Sequence, residues 1–81
     1  MSLKPSLQIG YYRHYKGAMY RVLDLVRHSE TDEWLVLYHP CYGDRGLWVR
    51  PYTMFIEHIE HEGKRQPRFA HIPAYYDPEA S

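Results

Sequence analysis

The feature that most constrains the fold is a series of short strand-like segments, from Gly10 to Phe55, crowded with aromatic, histidine and arginine residues. Small cores are ordinarily built from aliphatic side chains, whereas tyrosine and tryptophan can bury a ring and keep a polar group at the surface. No long helical period of apolar residues interrupts these segments. The sequence therefore predicts a mostly β domain whose aromatic side chains both fill a small core and line a surface.

About five antiparallel strands are predicted from the apolar and β-branched residues and from the turn residues between them. They are Ile9 to Tyr15, Met19 to His28, Glu33 to His39, Leu47 to Arg50, and a last part within residues 56–72. Pro51 to Phe55 fits one helical turn, because proline is favoured at the first helical position. This pattern predicts a small SH3-like barrel with one short helical turn, since an OB-type barrel would need longer strands and a proper helix.

The segment from Ile56 to Glu62 is ambiguous between helix and strand. Phe55 and Ile59 are spaced as on a helix, whereas Glu62-Gly63-Lys64 resembles a hairpin turn followed by a strand from Arg68 to Ile72. We favour the hairpin.

The length of 81 residues predicts one domain, 1–81, with an ordered core of about residues 8–72 and loose ends. A chain this short buries a limited core, so we expect a weak homodimer, for example through an exposed edge within residues 56–72. Ten basic and ten acidic residues give zero formal charge, which argues against non-specific DNA binding. The single Cys41 and the lack of any apolar run of membrane length predict a soluble cytoplasmic protein without a membrane contact.

Four motifs carry a resemblance to a known family. They are Gly10-x-Tyr12-x-His14-Tyr15-Lys16-Gly17-x-x-Tyr20, Arg27-His28-Ser29-Glu30-Thr31-x-Glu33, Trp48-Val49-Arg50-Pro51-x-x-Met54-Phe55 and Arg68-Phe69. In order and spacing they resemble domain-of-unknown-function family 1653, a group of short bacterial proteins. The resemblance implies a small, mostly β, cytoplasmic domain, and it implies no activity.

A cleft for an anionic ligand is the function that the side chains favour. The predicted ligand-binding residues are Tyr12, His14, Lys16, His28, Glu30, Trp48 and Arg50. Trp48 and Arg50 share one face of a strand, because they are two residues apart. A guanidinium beside aromatic rings can bind phosphate or carboxylate, so a nucleotide, an RNA segment or a peptide would fit. The alternative for Arg50 is a structural ion pair with Glu30, Glu33 or Asp24.

Other chemistries have weaker signals. His58 and His61 form the one close histidine pair, but a zinc site needs three or four ligands, so no metal and no cofactor are expected. His14 or His28 could act as an acid or base with Glu30 or Glu33, which would make the protein a small enzyme. His28-Ser-Glu-Thr31 also fits a simple polar turn. A third hypothesis is a structural subunit whose aromatic surface is buried in a homodimer.

Overall fold

A computed structural model describes residues 3–78, so the predicted loose ends at residues 1–2 and 79–81 lie outside the described residues. The elements follow in the order β1 (Gly10–His14), β2 (Met19–Arg27), β3 (Trp34–Pro40), β4 (Trp48–Pro51), α1 (Tyr52–Phe55), β5 (His58–His61), β6 (Lys64–Pro67) and β7 (Phe69–His71). The first four predicted strands and the helical turn are confirmed.

The strands form one antiparallel sheet of five and one separate hairpin. The sheet has the order β4-β3-β2-β1-β7, and within the described part of the chain β5 pairs only with β6. Within residues 3–78, β4 and β7 are the two free edges of the larger sheet, which does not close on itself. The mostly β, antiparallel character is therefore confirmed, whereas the closure of an SH3-like barrel is not.

The ambiguous segment after the helical turn is a hairpin. Glu62 and Gly63, with φ of 54° and 75°, form its turn, and positive φ at both central residues is typical of tight two-residue hairpins. The returning strand is β6, which begins at once at Lys64. Phe69–His71 instead forms a separate strand that pairs with β1, a connection that the sequence did not predict.

β2 contains a bulge, which accounts for the irregular order of apolar and charged residues along this strand. The register with β3 shifts between Val22 and Asp24, with Leu23 as the extra residue. Val22 and Leu25 thereby both face the core, at 2% and 8% exposure, while Asp24 turns to solvent and pairs with Lys4 at 3.5 Å. A regular strand would place Asp24 on the face of Val22, where an unpaired carboxylate is costly.

The core lies on one face of the five-stranded sheet, here called the inner face. Its buried residues are Tyr12, Val22, Leu25, Val36, Tyr38, Phe55 and Phe69. Phe55 from α1 stacks on Phe69 from β7, with ring centroids 4.2 Å apart and planes within 4°. The helical turn therefore covers the inner face and brings the end of β4 close to β7.

Contacts extend beyond the predicted core of residues 8–72 on both sides. Leu7 packs against the core cluster. In the predicted loose tail, Asp77 is 6% exposed and accepts hydrogen bonds from both terminal nitrogens of Arg45 and from the Tyr11 hydroxyl. A carboxylate can be buried at this depth because a guanidinium pairs with it.

Candidate functional site

We call four basic side chains the basic cluster: His14 and the three cations whose charges act on it, Lys16, Arg50 and Arg68. The register of β1 and β7 sets His14 directly opposite Phe69, and their rings are 5.0 Å apart. The guanidinium carbon of Arg50 is 5.4 Å from the centre of the Phe69 ring, although Arg50 belongs to the opposite edge strand, β4. Side chains from the two free edges of the sheet therefore meet at Phe69.

Arg50 is the predicted site residue whose surroundings are most unusual. It is half-buried and lies opposite fully buried Val36 in the register of β3 and β4. Its Nε is buried and has no hydrogen-bond partner among residues 3–78, and none of the ion pairs among those residues includes it. The structure thus does not form the predicted alternative, an ion pair with Glu30, Glu33 or Asp24.

Arg68 belongs to the same cluster, and the sequence reasoning did not include it as a site residue. Its Nη2 donates to Glu57 Oε1 at 2.6 Å, and its backbone N–H donates to the Glu57 carbonyl at 2.9 Å. Its Nε, like that of Arg50, is buried and has no partner within the described residues. The pair Arg68-Phe69 was part of a recognised motif, and this was the signal that could have identified it.

His14 joins the turn between β1 and β2 to the basic cluster. Its Nδ1 accepts a hydrogen bond from the Lys16 backbone N–H at 3.2 Å, so the geometry assigns the ring proton to Nε2. Loss of contact with water lowers the pKa of His14 below its usual value of 6.5, and the charges of Arg50, Arg68 and Lys16 lower it further. His14 is therefore a neutral hydrogen-bond donor at neutral pH.

Tyr20 adds an aromatic wall and a hydroxyl beside the cluster. Its ring is 5.6 Å from that of Phe69 and 6.3 Å from that of His14. Burial, followed by its hydrogen bond with the Tyr42 hydroxyl at 3.2 Å, raises the pKa of Tyr20 to about 12. The Tyr20 hydroxyl therefore keeps its proton at any physiological pH.

Trp48 and Lys16 are the solvent-facing members of the predicted site. Trp48 lies opposite Tyr38 on the inner face, two residues from Arg50, as the spacing predicted, and it is 62% exposed. Lys16 is exposed in the turn after β1, with its amine 5.8 Å from the centre of the Tyr15 ring. Both can reach a ligand without any change in the core.

Tyr12 belongs to the core instead of a ligand surface. It is 5% exposed, packs edge-on against Phe55 at 5.2 Å, and donates its hydroxyl to the Gln8 carbonyl at 2.6 Å. On β1, Tyr12 lies on the inner face. Its ring, which the sequence assigned to ligand binding, is therefore part of the core.

His28 and Glu30 lie at the other end of β2 from His14. The nine residues of β2 separate the two turns, and the eight steps between its first and last residue span roughly 26 Å at about 3.3 Å per step. The Nδ1 of His28 accepts the backbone N–H groups of Glu30 and Thr31 at 3.1 and 3.2 Å, and Glu30 itself is exposed. The structure therefore does not bring these two residues into one cleft with His14, and it matches the alternative of a polar turn.

A small surface groove borders the basic cluster on the side of His14. It has a volume of about 160 Å³ and is lined by Arg13, His14, Tyr15, Gln66, Pro67, Ala70 and Ile72. A wider, open depression lies next to it between Tyr15 and the β5–β6 turn. Arg50 and Trp48 line neither concavity.

The histidine pair on β5 forms no metal-binding group. His58 and His61 are three residues apart on a strand, which points their side chains to opposite faces, and the His61 ring packs on Tyr15 at 5.0 Å. Within residues 3–78 no three His, Cys, Asp or Glu side chains are close enough to share a metal ion. Over the same residues, no helix has the length and apolarity to span a membrane.

Comparisons with known proteins identify the family. Residues 10–71 match the family described as "Protein of unknown function (DUF1653)", and a search of curated proteins finds no match. The chain is also similar to the crystal structure of a DUF1653 protein from Bordetella bronchiseptica, with 38% sequence identity and a TM-score of 0.76. That match covers 82% of this chain and 87% of the other. Because the family match runs from the start of β1 to the end of β7, the chain belongs to the DUF1653 family.

Proposed function

We propose that this domain is a binding module for an anionic group, which it holds at the basic cluster. The observation that carries the proposal is Arg50, a half-buried guanidinium with a buried Nε and with neither an ion pair nor a hydrogen bond among residues 3–78. A charge that has lost part of its hydration and has no partner is costly. An anion bound against Arg50 offsets this cost, so binding at this position is favoured over binding at a fully hydrated arginine.

The neighbours of Arg50 suit an anion as well. Arg68 has a second buried Nε without a partner in the described region, and the charge of Lys16 also acts on His14. Glu57 is the carboxylate that pairs with Arg68, through Nη2 alone. Arginine offers a planar set of donors that fits carboxylate and phosphate oxygens in pairs, and hydrogen bonds to a charged group are the stronger ones.

Two other classes of function have less support. Non-specific nucleic-acid binding requires an extended excess of positive charge, whereas the chain has ten basic and ten acidic residues. For the enzyme hypothesis, neutral His14 could accept a proton, but its ring contacts within the described residues are Tyr15, Tyr20 and Phe69. None of these is a carboxylate that would orient a general base, so the binding hypothesis is preferred.

The proposal includes two broader assignments. We take the inner face as the equivalent of an SH3-like barrel interior, in which Arg50, Phe55 and Phe69 bridge the open edges with side chains in place of backbone hydrogen bonds. We also place the protein in the cytoplasm, because its single cysteine, Cys41, fits a reducing compartment.

The proposal can be tested with inorganic phosphate as the probe. Titration of ¹⁵N-labelled protein with sodium phosphate, against sodium chloride at matched ionic strength, should shift the amide signals of Arg50, Phe69 and His14 in a saturable way. Arg50→Met should weaken phosphate binding about tenfold or more, as expected for a hydrogen-bonded charge pair. Arg65→Met is the matched control, because Arg65 is an exposed arginine on β6 that lines neither concavity. Equal binding by both variants, or identical shifts with chloride, would contradict the proposal.

A further inference from the structure

The free edge of β4 is an unprotected strand edge. Among residues 3–78, β4 pairs with β3 alone, and Leu47, Trp48 and Val49 are 64%, 62% and 52% exposed. Proteins usually protect such an edge with charges, prolines or a covering segment, because its free N–H and C=O groups can pair with another chain. Pro51 ends the strand, so the open part consists of residues 48–50, with Leu47 just before it.

The side chains along this edge alternate in a way that suits an added strand. Trp48 and Arg50 lie on the inner face, while Val49 lies on the outer face, opposite Leu37. Two more apolar side chains, Met54 and Ile56, are 44% and 42% exposed just after the strand. An added strand would find apolar contacts on both faces of the sheet and one unpaired cation on the inner face.

We propose that the ligand of the basic cluster is an acidic, extended peptide segment that pairs with β4 as a sixth strand. This inference rests on the proposed function and names its ligand class. Adjacent strands lie about 4.8 Å apart, and side chains opposite each other have Cβ atoms about 5 Å apart. A Glu or Asp of the peptide opposite Arg50 therefore comes within reach of its guanidinium. Apolar peptide residues lie against Trp48 and Val49.

The edge favours such a peptide over a nucleic acid and over a second copy of this chain. A single-stranded nucleic acid would use the ring of Trp48 for stacking and would leave the backbone edge, Leu47 and Val49 uncovered. In a pair of identical β4 strands, the segment from Leu47 to Pro51 contains no acidic residue to match Arg50. An extended peptide with a carboxylate between apolar residues can pair with the backbone groups of the edge, cover its apolar side chains and bind the charge of Arg50 at the same time.

The test uses a synthetic acetylated peptide, Val-Leu-Val-Glu-Val-Thr, and two analogues, one with Gln for Glu and one N-methylated at its central valine. We expect saturable binding that quenches or shifts the fluorescence of Trp48, with a loss of about tenfold in affinity for each analogue. Val49→Lys in the protein adds a charge to an exposed edge position, so the fold should persist. This variant should lose peptide binding and keep phosphate binding, with Ile9→Lys, at an apolar position before β1 that is 66% exposed, as the control for an added lysine away from the edge.

The outcomes separate this inference from the proposed function. If phosphate binds at Arg50 but the peptide does not, or if Gln for Glu has no effect, the inference is overturned and the proposed function stands. Tighter binding of a ten-nucleotide oligothymidine than of the peptide also overturns it. The same holds for a dimer that sedimentation detects in the wild type and not in Val49→Lys, since a second copy would then occupy the edge. Failure of phosphate to bind at all overturns both.

Discussion

Two turns in this molecule are each organised by a histidine, and their surroundings differ. His14 ends β1 and His28 follows β2, and each ring accepts backbone N–H groups of the turn through Nδ1. Around His14, the rings of Tyr15 and Phe69 lie 4.5 and 5.0 Å away, and cations from other elements act on it. Around His28, the polar contacts come from its own turn. One of them is the hydrogen bond that the His28 backbone N–H donates to the Glu33 carbonyl at 2.9 Å.

The comparison shows that a local motif can be the same while its chemistry differs. Both turns use the same side-chain-to-backbone device, which needs only residues two or three positions apart. Burial lowers the pKa of His14, and the charges of Arg50 and Arg68, which β4 and the segment before β7 bring to it, lower it further. The structure therefore places the His14 turn beside the basic cluster and the His28 turn away from it, and four experiments can test what this difference means.

The largest expected effect comes from the ring against which His14 packs. Phe69→Ala should lower the free energy of unfolding by about 3–5 kcal/mol, because a buried phenyl ring is lost and a cavity remains. Phe69 is 6% exposed and stacks on Phe55. Glu30→Ala, an exposed change in the His28 turn, should stay within about 0.5 kcal/mol. Urea denaturation measures both, and a loss below about 1 kcal/mol for Phe69→Ala would show that the His14 end does not depend on this core.

The second effect concerns the His28 turn itself. His28→Ala should cost about 1–2 kcal/mol of unfolding free energy, since the N–H groups of Glu30 and Thr31 lose their acceptor. His28→Asn should recover part of the loss, because asparagine can accept turn N–H groups. Phosphate affinity should stay unchanged in both variants. A fall in phosphate affinity with unchanged stability would instead assign His28 to the binding site.

The third effect is a pH dependence of stability that comes from His14. Its pKa is lower in the folded protein than the value of 6.5 expected when it is unfolded. Its contribution is therefore fully present above pH 6.5 and is lost as the pH falls through the folded-state pKa. Between about pH 7.5 and about pH 5, the wild type should lose more stability than His14→Gln. Parallel urea denaturation curves at the two pH values measure this, and an equal loss in both proteins would refute it.

The smallest effect is a change in one titration curve. Arg50→Met should raise the pKa of His14, because the Arg50 charge is one of the causes of its lowering. Arg27→Met, next to the His28 turn, should leave the pKa of His14 unchanged. NMR titration of the imidazole signals of both variants makes the comparison. No change in Arg50→Met would mean that β4 does not bring its charge to the His14 turn.

The sequence predicted most of the fold because the relevant signals are local. β-Branched and apolar runs predicted β1 to β4, proline and glycine predicted the helical turn and the hairpin, and these elements are confirmed. The shared face of Trp48 and Arg50 also followed from the two-residue period of a strand. The sequence did not predict that β7 is separate from the hairpin, because the residues near Arg68 have no turn signal as strong as Glu62-Gly63.

The candidate site depends on contacts that local sequence signals do not predict. Sequence spacing cannot show that β7 pairs with β1, and this pairing sets Phe69 opposite His14. It also cannot show that Tyr12 faces the core, because the ring is equally suited to a core and to a ligand surface. The grouping of His28 with His14 was based on residue type, whereas the length of β2 separates them.

By itself, the sequence determined β1 to β4, the helical turn, the hairpin turn and the supply of aromatic and basic side chains, because these depend on residues a few positions apart. The tertiary structure decided which side chains meet. Arg50 reaches Phe69 from the opposite edge of an open sheet, and Arg68 and Lys16 complete the charges around His14. Such long-range contacts are set by strand pairing and by burial of the shared core, which no short stretch of sequence encodes.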